Sequence, residues 1–266
     1  MTERDIMNDL IIPCIDVAGG RATPPSGIAG LADPADAVEI ASVYLRDGAG
    51  PIFVDVQEPW TEHETFLPLI QALSGTGGTF WVTVDNGYMP SIEAAEALLA
   101  AGAAAVGLST TSVEHPSVLH TLVQRHGSGR VVGVMNVARA GDGRWNVAIR
   151  GGEQETDLDA VVWAKMLADL GAGRLLANSL DQEGTGNGYD LEMTPAIAAA
   201  VGVPVIASGG AGSVEHLYEG LTTGGARHAL VNNLFHSGQA TMTQAHEFLD
   251  KGGLRNPEDG VEGAAE

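Results

Sequence analysis

The chain has 266 residues, 44% of them hydrophobic and 5% aromatic, with 13 Lys and Arg against 34 Asp and Glu for a formal net charge of −21. That length can bury a sizeable core, while the charge repels phosphate backbones and anionic lipid surfaces, which excludes nucleic acid and membrane as main partners. The single cysteine, Cys14, leaves no internal disulfide framework. There is no apolar run of about 18 residues, and the start, MTERDIMNDL, lacks an apolar signal core, so a cytoplasmic location is expected.

Eight short apolar runs alternate with longer helix-like stretches. They are residues 10–17 (LIIPCIDV), 51–56 (PIFVDV), 79–87 (TFWVTVDNG), 103–110 (AAAVGLST), 130–137 (RVVGVMNV), 174–179 (RLLANS), 203–210 (VPVIASGG) and 228–233 (HALVNN). Most are continuously apolar rather than alternating, the pattern of parallel strands covered on both faces. After the first run, DPADAVEIASVYLRDG predicts a helix with Asp33 as N-cap and Pro34 at its first position. After the third, SIEAAEALLAAG predicts a helix with Ser91 as N-cap and Glu93 in an acidic first turn. Both close at glycines, Gly48 and Gly102, where a left-handed residue is expected. The segment LDQEGTGNGYD, residues 180–190, is long, polar and glycine-rich, as expected of a loop that folds over a substrate.

Eight β-α units in a chain of this size are the arithmetic of an α/β, (βα)8 TIM barrel; a doubly wound open sheet is the alternative. An internal echo favours the barrel. Asp16 precedes Asn136 by 120 residues, Asp55 precedes Asn178 by 123, and Ser109-Thr110 precede Asn232-Asn233 by 123, each at the C-terminal end of its run. Half-barrel internal duplication would produce that spacing. One domain over residues 1–254 is expected. Residues 255–266 form an acidic tail with too little apolar surface to order itself, expected to be mobile.

Barrel enzymes act at the C-terminal ends of their strands. Those ends carry Asp16, Asp55, Asp85-Asn86-Gly87, Ser109-Thr110, Asn136, Asn178, Ser208-Gly209-Gly210 and Asn232-Asn233. A packed barrel core needs no carboxylates there, although Asp85, Ser109 and Thr110 would serve equally as helix caps. In ASGGAG, Gly209, Gly210 and Gly212 stand between the seventh strand and a helix, where main-chain N–H groups can approach a phosphate; a plain tight turn is the alternative. Gly87 with Ser109 and Thr110 form a weaker second candidate, with Asp85 close enough to repel an anion. Asp16 is the candidate for acid or base work, or else a bridge between loops. Asn136 can only donate and accept hydrogen bonds, and Asp55 is expected to orient partners. Cys14 reads as barrel packing. Eight histidines show no ligand spacing, so neither a metal nor another cofactor is expected. His216, His228 and His236 read as surface or loop residues, and Trp60 and Trp81 as pocket or core.

LIIPCIDV, ASGGAG and above all D-x-E-G-T-G-N-G-Y-D, residues 181–190, resemble the cyclase subunit of imidazole glycerol phosphate synthase, over residues 10–254. The related phosphoribosyl isomerase of histidine biosynthesis is a more distant match. The resemblance implies a half-duplicated barrel that grips a long substrate by a phosphate at each end. It also implies closure of an imidazole ring with ammonia delivered through the barrel by a separate glutaminase. Carried over by residue, Asp16 is the first catalytic aspartate. Gly87, Gly184 and Gly210 are the phosphate glycines, while Ser109 with Thr110 and Asn232 with Asn233 are the strand-end pairs. Glu183, two residues before Thr185, holds the place of the acid in the loop after the sixth strand. Asn178 and Ser208, read from their places at the strand ends, complete the expected substrate-binding set with Thr185 and Gly209.

The departures are equally specific. The family's second catalytic aspartate falls on Asn136, a substrate-loop lysine falls near Pro24, and the third strand's glycine run has become Asp85-Asn86-Gly87. Four charged residues that ring the ammonia entrance fall on Leu10, Gly50, Ala105 and Arg174. Loss of one member of an acid–base pair costs roughly 100- to 10,000-fold in proton transfer, and the missing entrance charges argue against a glutaminase partner. The sequence therefore points to a divergent paralogue that acts on a phosphorylated, sugar-derived small molecule by cyclisation, elimination or isomerisation. The authentic cyclase subunit and a non-catalytic phosphate-ester-binding barrel are the alternatives.

Overall fold

The computed structural model describes residues 10–141 and 143–254. The apolar runs form eight strands: β1 (Ile11–Ala18), β2 (Pro51–Val56), β3 (Thr79–Val84), β4 (Ala105–Leu108), β5 (Val131–Gly141), β6 (Arg174–Ser179), β7 (Val205–Ser208) and β8 (His228–Val231). Each pairs in parallel with the next. β8 returns to β1, with Ile11 opposite Ala229, so the sheet closes into a ring. With helices between the strands, this is the (βα)8 barrel, and the open sheet is excluded.

Closure explains why the strands are apolar throughout. Ile12, Cys14, Phe53, Trp81, Leu176 and Leu230 point into the barrel and form its inner core. Their chain neighbours Ile11, Ile15, Val54 and Val82 point outward, where they pack with Ile40, Phe66 and Leu98 of the surrounding helices. Trp81 is 0% exposed. The Arg174 guanidinium lies 4.2 Å from its ring centre, and the His228 ring meets it edge-on at 6.5 Å. Arg174 also donates to the Gly129 carbonyl at 3.1 Å, and burial lowers its pKa to about 10, so it stays charged at neutral pH.

Register sets the level of each polar side chain. Asp16 pairs with Asp55, and Asp55 with Thr83. Asn136 pairs with Asn178, and Asn178 with Ser208. The echo read along the chain is therefore an echo in space: the β1–β2 carboxylate pair has its counterpart in the β5–β6 amide pair.

Several local expectations change. The first helix runs Ala37–Arg46 with Asp36, not Asp33, as N-cap; the Asp36 carboxylate accepts from Val38 N and Glu39 N. Asp33 instead accepts from Ala35 N and pairs with Arg21 at 2.6 Å, closing a turn before the helix begins. The second helix, Ile92–Ala100, does start at Ser91, which accepts from Ala94 N. Gly48 and Gly102 have φ of 91° and 107°, as expected after helix ends. The strand expected over residues 79–87 stops at Val84, because Asp85 and Asn86 turn to φ of 47° and 54°. That expected over 228–233 stops at Val231, and Asn233–His236 is a short helix. β5 runs on to Gly141 and turns back as an antiparallel excursion through Arg144–Ile149 and Gln154–Asp159. Its outer strand is almost wholly exposed, so it carries no apolar run by which to find it. No helix among the described residues is long and apolar enough to cross a membrane. The expected tail, residues 255–266, and residues 1–9 of the expected domain lie outside the described residues.

Replacing Trp81 with Ala removes the largest side chain of the inner core and the ring on which Arg174 rests. The expected loss is about 3–5 kcal/mol, read as a lower urea midpoint with unchanged native circular dichroism.

Candidate functional site

The barrel opens at its C-terminal end into a cavity of about 700 Å³. Its floor is the upper layer of the inner core, Cys14, Phe53, Val134, Leu176 and Leu230. Asp16, Asp55, Asn136, Asn178, Ser208 and Asn232 line its wall. Two loops line it further, through residues 183–186 and 209–212. No Lys or Arg is among the described residues that line it.

Asp16 is held on both oxygens. Asn232 Nδ2 donates to Oδ2 at 2.7 Å, and the Cys14 thiol donates to Oδ1 at 3.6 Å. Burial raises the Asp16 pKa above the ordinary carboxylate value, and these two hydrogen bonds pull it part of the way back. Asp55, half-buried beside it, is pushed up to about 7, by burial first and then by the charges of Asp16 and Glu183. Burial also raises the Cys14 thiol well above its usual range, so it is protonated at neutral pH and is a hydrogen-bond donor here, not a nucleophile.

On the opposite wall Asn178 is the hub. Its Nδ2 donates to Glu183 Oε2 at 2.9 Å and to Asn136 Oδ1 at 3.1 Å. Its Oδ1 accepts from Ser208 Oγ at 3.0 Å. Glu183 Oε2 accepts from the amide nitrogen, which sets the way the Asn178 amide faces. Asn178 in turn fixes Asn136 with its oxygen toward the hub, leaving Asn136 Nδ2 as a donor.

Gly209 and Gly210 have φ of 91° and 99°. A Cβ on Gly210 would collide with the Gly188 carbonyl and with Gln182, and one on Gly209 would sit 2.5 Å from Ser179 O. The loop after β6 thus lies directly against the turn after β7, and Gly188 N donates to Gly210 O at 2.8 Å. The loop is tied at both ends. Arg139 N donates to Asp181 Oδ2 at 2.8 Å, and the Tyr189 hydroxyl donates to Leu230 O at 2.8 Å. Gly212 N donates to His216 Nδ1 at 3.1 Å.

The sequence-expected residues divide into two groups. Asp16, Asp55, Asn136, Asn178, Glu183, Gly184, Thr185, Ser208, Gly209, Gly210, Asn232 and Asn233 all line the cavity. Gly87, Ser109 and Thr110 come together beside it without lining it. Ser109 N donates to Gly87 O at 3.1 Å, and Ser109 and Thr110 are 1% and 0% exposed. The Thr110 hydroxyl donates to Asn86 O at 3.3 Å and accepts from Arg150 N at 2.9 Å, so it staples two turns together. Asn86 and Gly151 form the cavity wall on that side.

Three residues stand elsewhere than expected. Asp85 does not line the cavity; Thr83 does, because register with Asp55 turns Thr83 inward. His228 and His236 are buried, at 3% exposure each, rather than at the surface; His236 Nε2 lies 2.7 Å from Pro24 O. Trp81 belongs to the core. Asn86, expected at the end of the third strand, lines the cavity, as do Gln57 and Gln239, which were not singled out for it; Gln57 directly follows β2, one residue beyond the point where the apolar signal ends. Among the described residues no group of three or more His, Cys, Asp or Glu is arranged to hold a metal ion.

The family model described as "Histidine biosynthesis protein" matches residues 10–241. The chain is 40% identical over 249 residues to a protein of Prochlorococcus marinus (strain MIT 9211), named imidazole glycerol phosphate synthase subunit HisF. That match covers 92% of this chain and 95% of the relative.

Two outcomes follow from the site geometry. Gly210→Ala forces the loop after β6 away from the turn after β7; half-saturation by a phosphate ester is expected to weaken at least tenfold in titration calorimetry, roughly 1.4 kcal/mol or more. The second concerns pH. Asp55 titrates at 3.8 as a free side chain and at about 7 when folded. Between those values the folded chain keeps a proton that the unfolded chain has released. Its contribution to stability therefore falls as pH rises from about 4 to 7 and levels off above. Urea midpoints at roughly pH 5, 6 and 8 should show that slope in wild type and a flatter one in Asp55→Asn.

Proposed function

Because the chain belongs to the histidine biosynthesis protein family, we propose that it is a ring-closing enzyme of the imidazole glycerol phosphate synthase kind. Its substrate is a phosphorylated, sugar-derived molecule bound at the barrel mouth. The observation that carries this reading is the position of Asp16: on the cavity wall, gripped by Asn232 and Cys14, in the same mouth as the turn of Gly209 and Gly210.

The chemistry follows from the groups available. With no Lys or Arg among the described residues of the wall, the phosphate is held by main-chain N–H groups of the glycine turn, aided by the partial positive charge where helix Val214–Leu221 begins. Asn178, Ser208 and Glu183 form a fixed polar strip suited to sugar hydroxyls. Asp16, ionised and partly desolvated, removes a proton from the group that closes the ring. Asn136 donates from Nδ2 to an oxygen of the substrate and transfers no proton.

A second reading is favoured by two specific observations. Position 136 is an amide, and the N-terminal end of the barrel presents Leu10, Gly50, Ala105 and a buried Arg174. Together they support a divergent paralogue acting on a different phosphorylated compound, without a glutaminase subunit.

Ring closure by the purified protein, with the synthase substrate and ammonium, separates the two. Under the first reading wild type turns over, Asp16→Asn loses roughly 100- to 10,000-fold, inorganic phosphate competes with substrate, and a glutaminase subunit co-elutes. Under the second, wild type is inert with that substrate, no glutaminase co-elutes, and Asn136→Asp gains measurable rate. Turnover by wild type that inorganic phosphate does not inhibit and that persists undiminished in Asp16→Asn sinks both.

A further inference from the structure

An acid–base ring closure needs a proton acceptor and a proton donor. Besides Asp16, only two carboxylates line the mouth among the described residues, Asp55 and Glu183. Glu183 is exposed and its Oε2 is engaged by Asn178 at 2.9 Å. Asp55 stands on the neighbouring strand at the level of Asp16, its direct register partner. No hydrogen bond to its carboxylate is found among the described residues. We propose that Asp55 is the second proton-transfer group of this mouth, the donor that complements Asp16 where Asn136 cannot.

The surroundings divide the labour between the two. Asp16 has two donors that favour its charged form, Asn232 Nδ2 and the Cys14 thiol. The groups that face Asp55 are Asp16 and Cys14 from β1, Glu183 from across the mouth, and the uncharged Thr83 from β3. Among the described residues no Lys or Arg lines the cavity to stabilise a second negative charge beside Asp16. One proton therefore resides on Asp55 near neutral pH, consistent with its raised pKa, and two neighbouring carboxylates hold opposite protonation states.

The step balances. Asp16 takes a proton from the ring-closing nitrogen as its new bond to carbon forms. Asp55 gives its proton to a hydroxyl on that carbon, whose C–O bond breaks, and the hydroxyl leaves as water. Asp16 is then protonated and Asp55 ionised. The proton returns from Asp16 to Asp55 through water in the emptied mouth, and the enzyme ends with the protons it began with.

The inference rests on the proposed ring-closing reading, and the test separates the two. Wild type, Asp16→Asn, Asp55→Asn and Asp55→Glu are compared by kcat, KM and pH profile with the same substrate and ammonium. Asp55→Asn is expected to lose roughly 100- to 10,000-fold in kcat with KM little changed. Its residual rate should lack the alkaline limb of the wild-type bell, whereas Asp55→Glu should keep that limb and recover part of the rate. Wild type inert with substrate overturns the proposed function. Wild type active, Asp16→Asn dead and Asp55→Asn at full rate with both limbs intact overturns only the role of Asp55. A readout independent of activity is the infrared band of a protonated carboxyl. It should titrate near neutrality in wild type and vanish in Asp55→Asn, and its absence from wild type at neutral pH overturns the proposal.

Discussion

Closure between β8 and β1 governs everything at the mouth. A free sheet edge would let β1 slip against its neighbours; a closed ring holds Ile11 opposite Ala229 and Asp16 opposite Asp55 at the same time. A shift of one residue in any strand would turn its polar end outward and its outer apolar residues inward. The apolar layers inside and outside the barrel resist that shift on both faces. The carboxylates stand side by side because the core beneath them leaves no other register.

That enforced proximity creates the site's electrostatic problem. Among the described residues, three carboxylates and no Lys or Arg line the mouth, in a chain of net charge −21. A substrate phosphate would add further negative charge. The structure relieves the crowding with uncharged donors rather than with cations. Asn232 and the Cys14 thiol hold Asp16, Asn178 engages Glu183, and the Asp55 pKa is pushed up to about 7. Main-chain amides at the glycine turn supply positive partial charge without bringing a side chain that would pair off the acids. Asn136 fits the same pattern: a carboxylate there would be a fourth acid facing three others.

The barrel was legible because its signal is repeated. Eight apolar runs with polar ends and a half-chain echo leave few other folds. Most of the mouth was legible for the same reason, since a strand's last residue inherits its position from the run before it. What failed was local and directional. Alternation turns Thr83 inward and takes Asp85 past the end of the strand, a distinction that depends on register with β2 and not on composition. Ser109 and Thr110 stand at a strand end yet face a neighbouring turn, because the left-handed pair Asp85-Asn86 folds across them. His228 and His236 looked like surface residues because polar side chains usually are; one is buried by Trp81 and the other beside Pro24. The outer strand of the excursion after β5 left no apolar trace, because solvent covers most of it; the inner strand, with Trp145, Val147, Ala148 and Ile149 buried, carries an apolar signal that the eight runs did not include.

The Trp81 stack carries a consequence for stiffness. The fully buried indole has the Arg174 guanidinium against it and the His228 ring at its edge. Strands β3, β6 and β8, none adjoining another in the ring, are thereby tied together through the interior, as spokes brace a rim. A fluctuation that loosened one of them would have to break its hold on the other two.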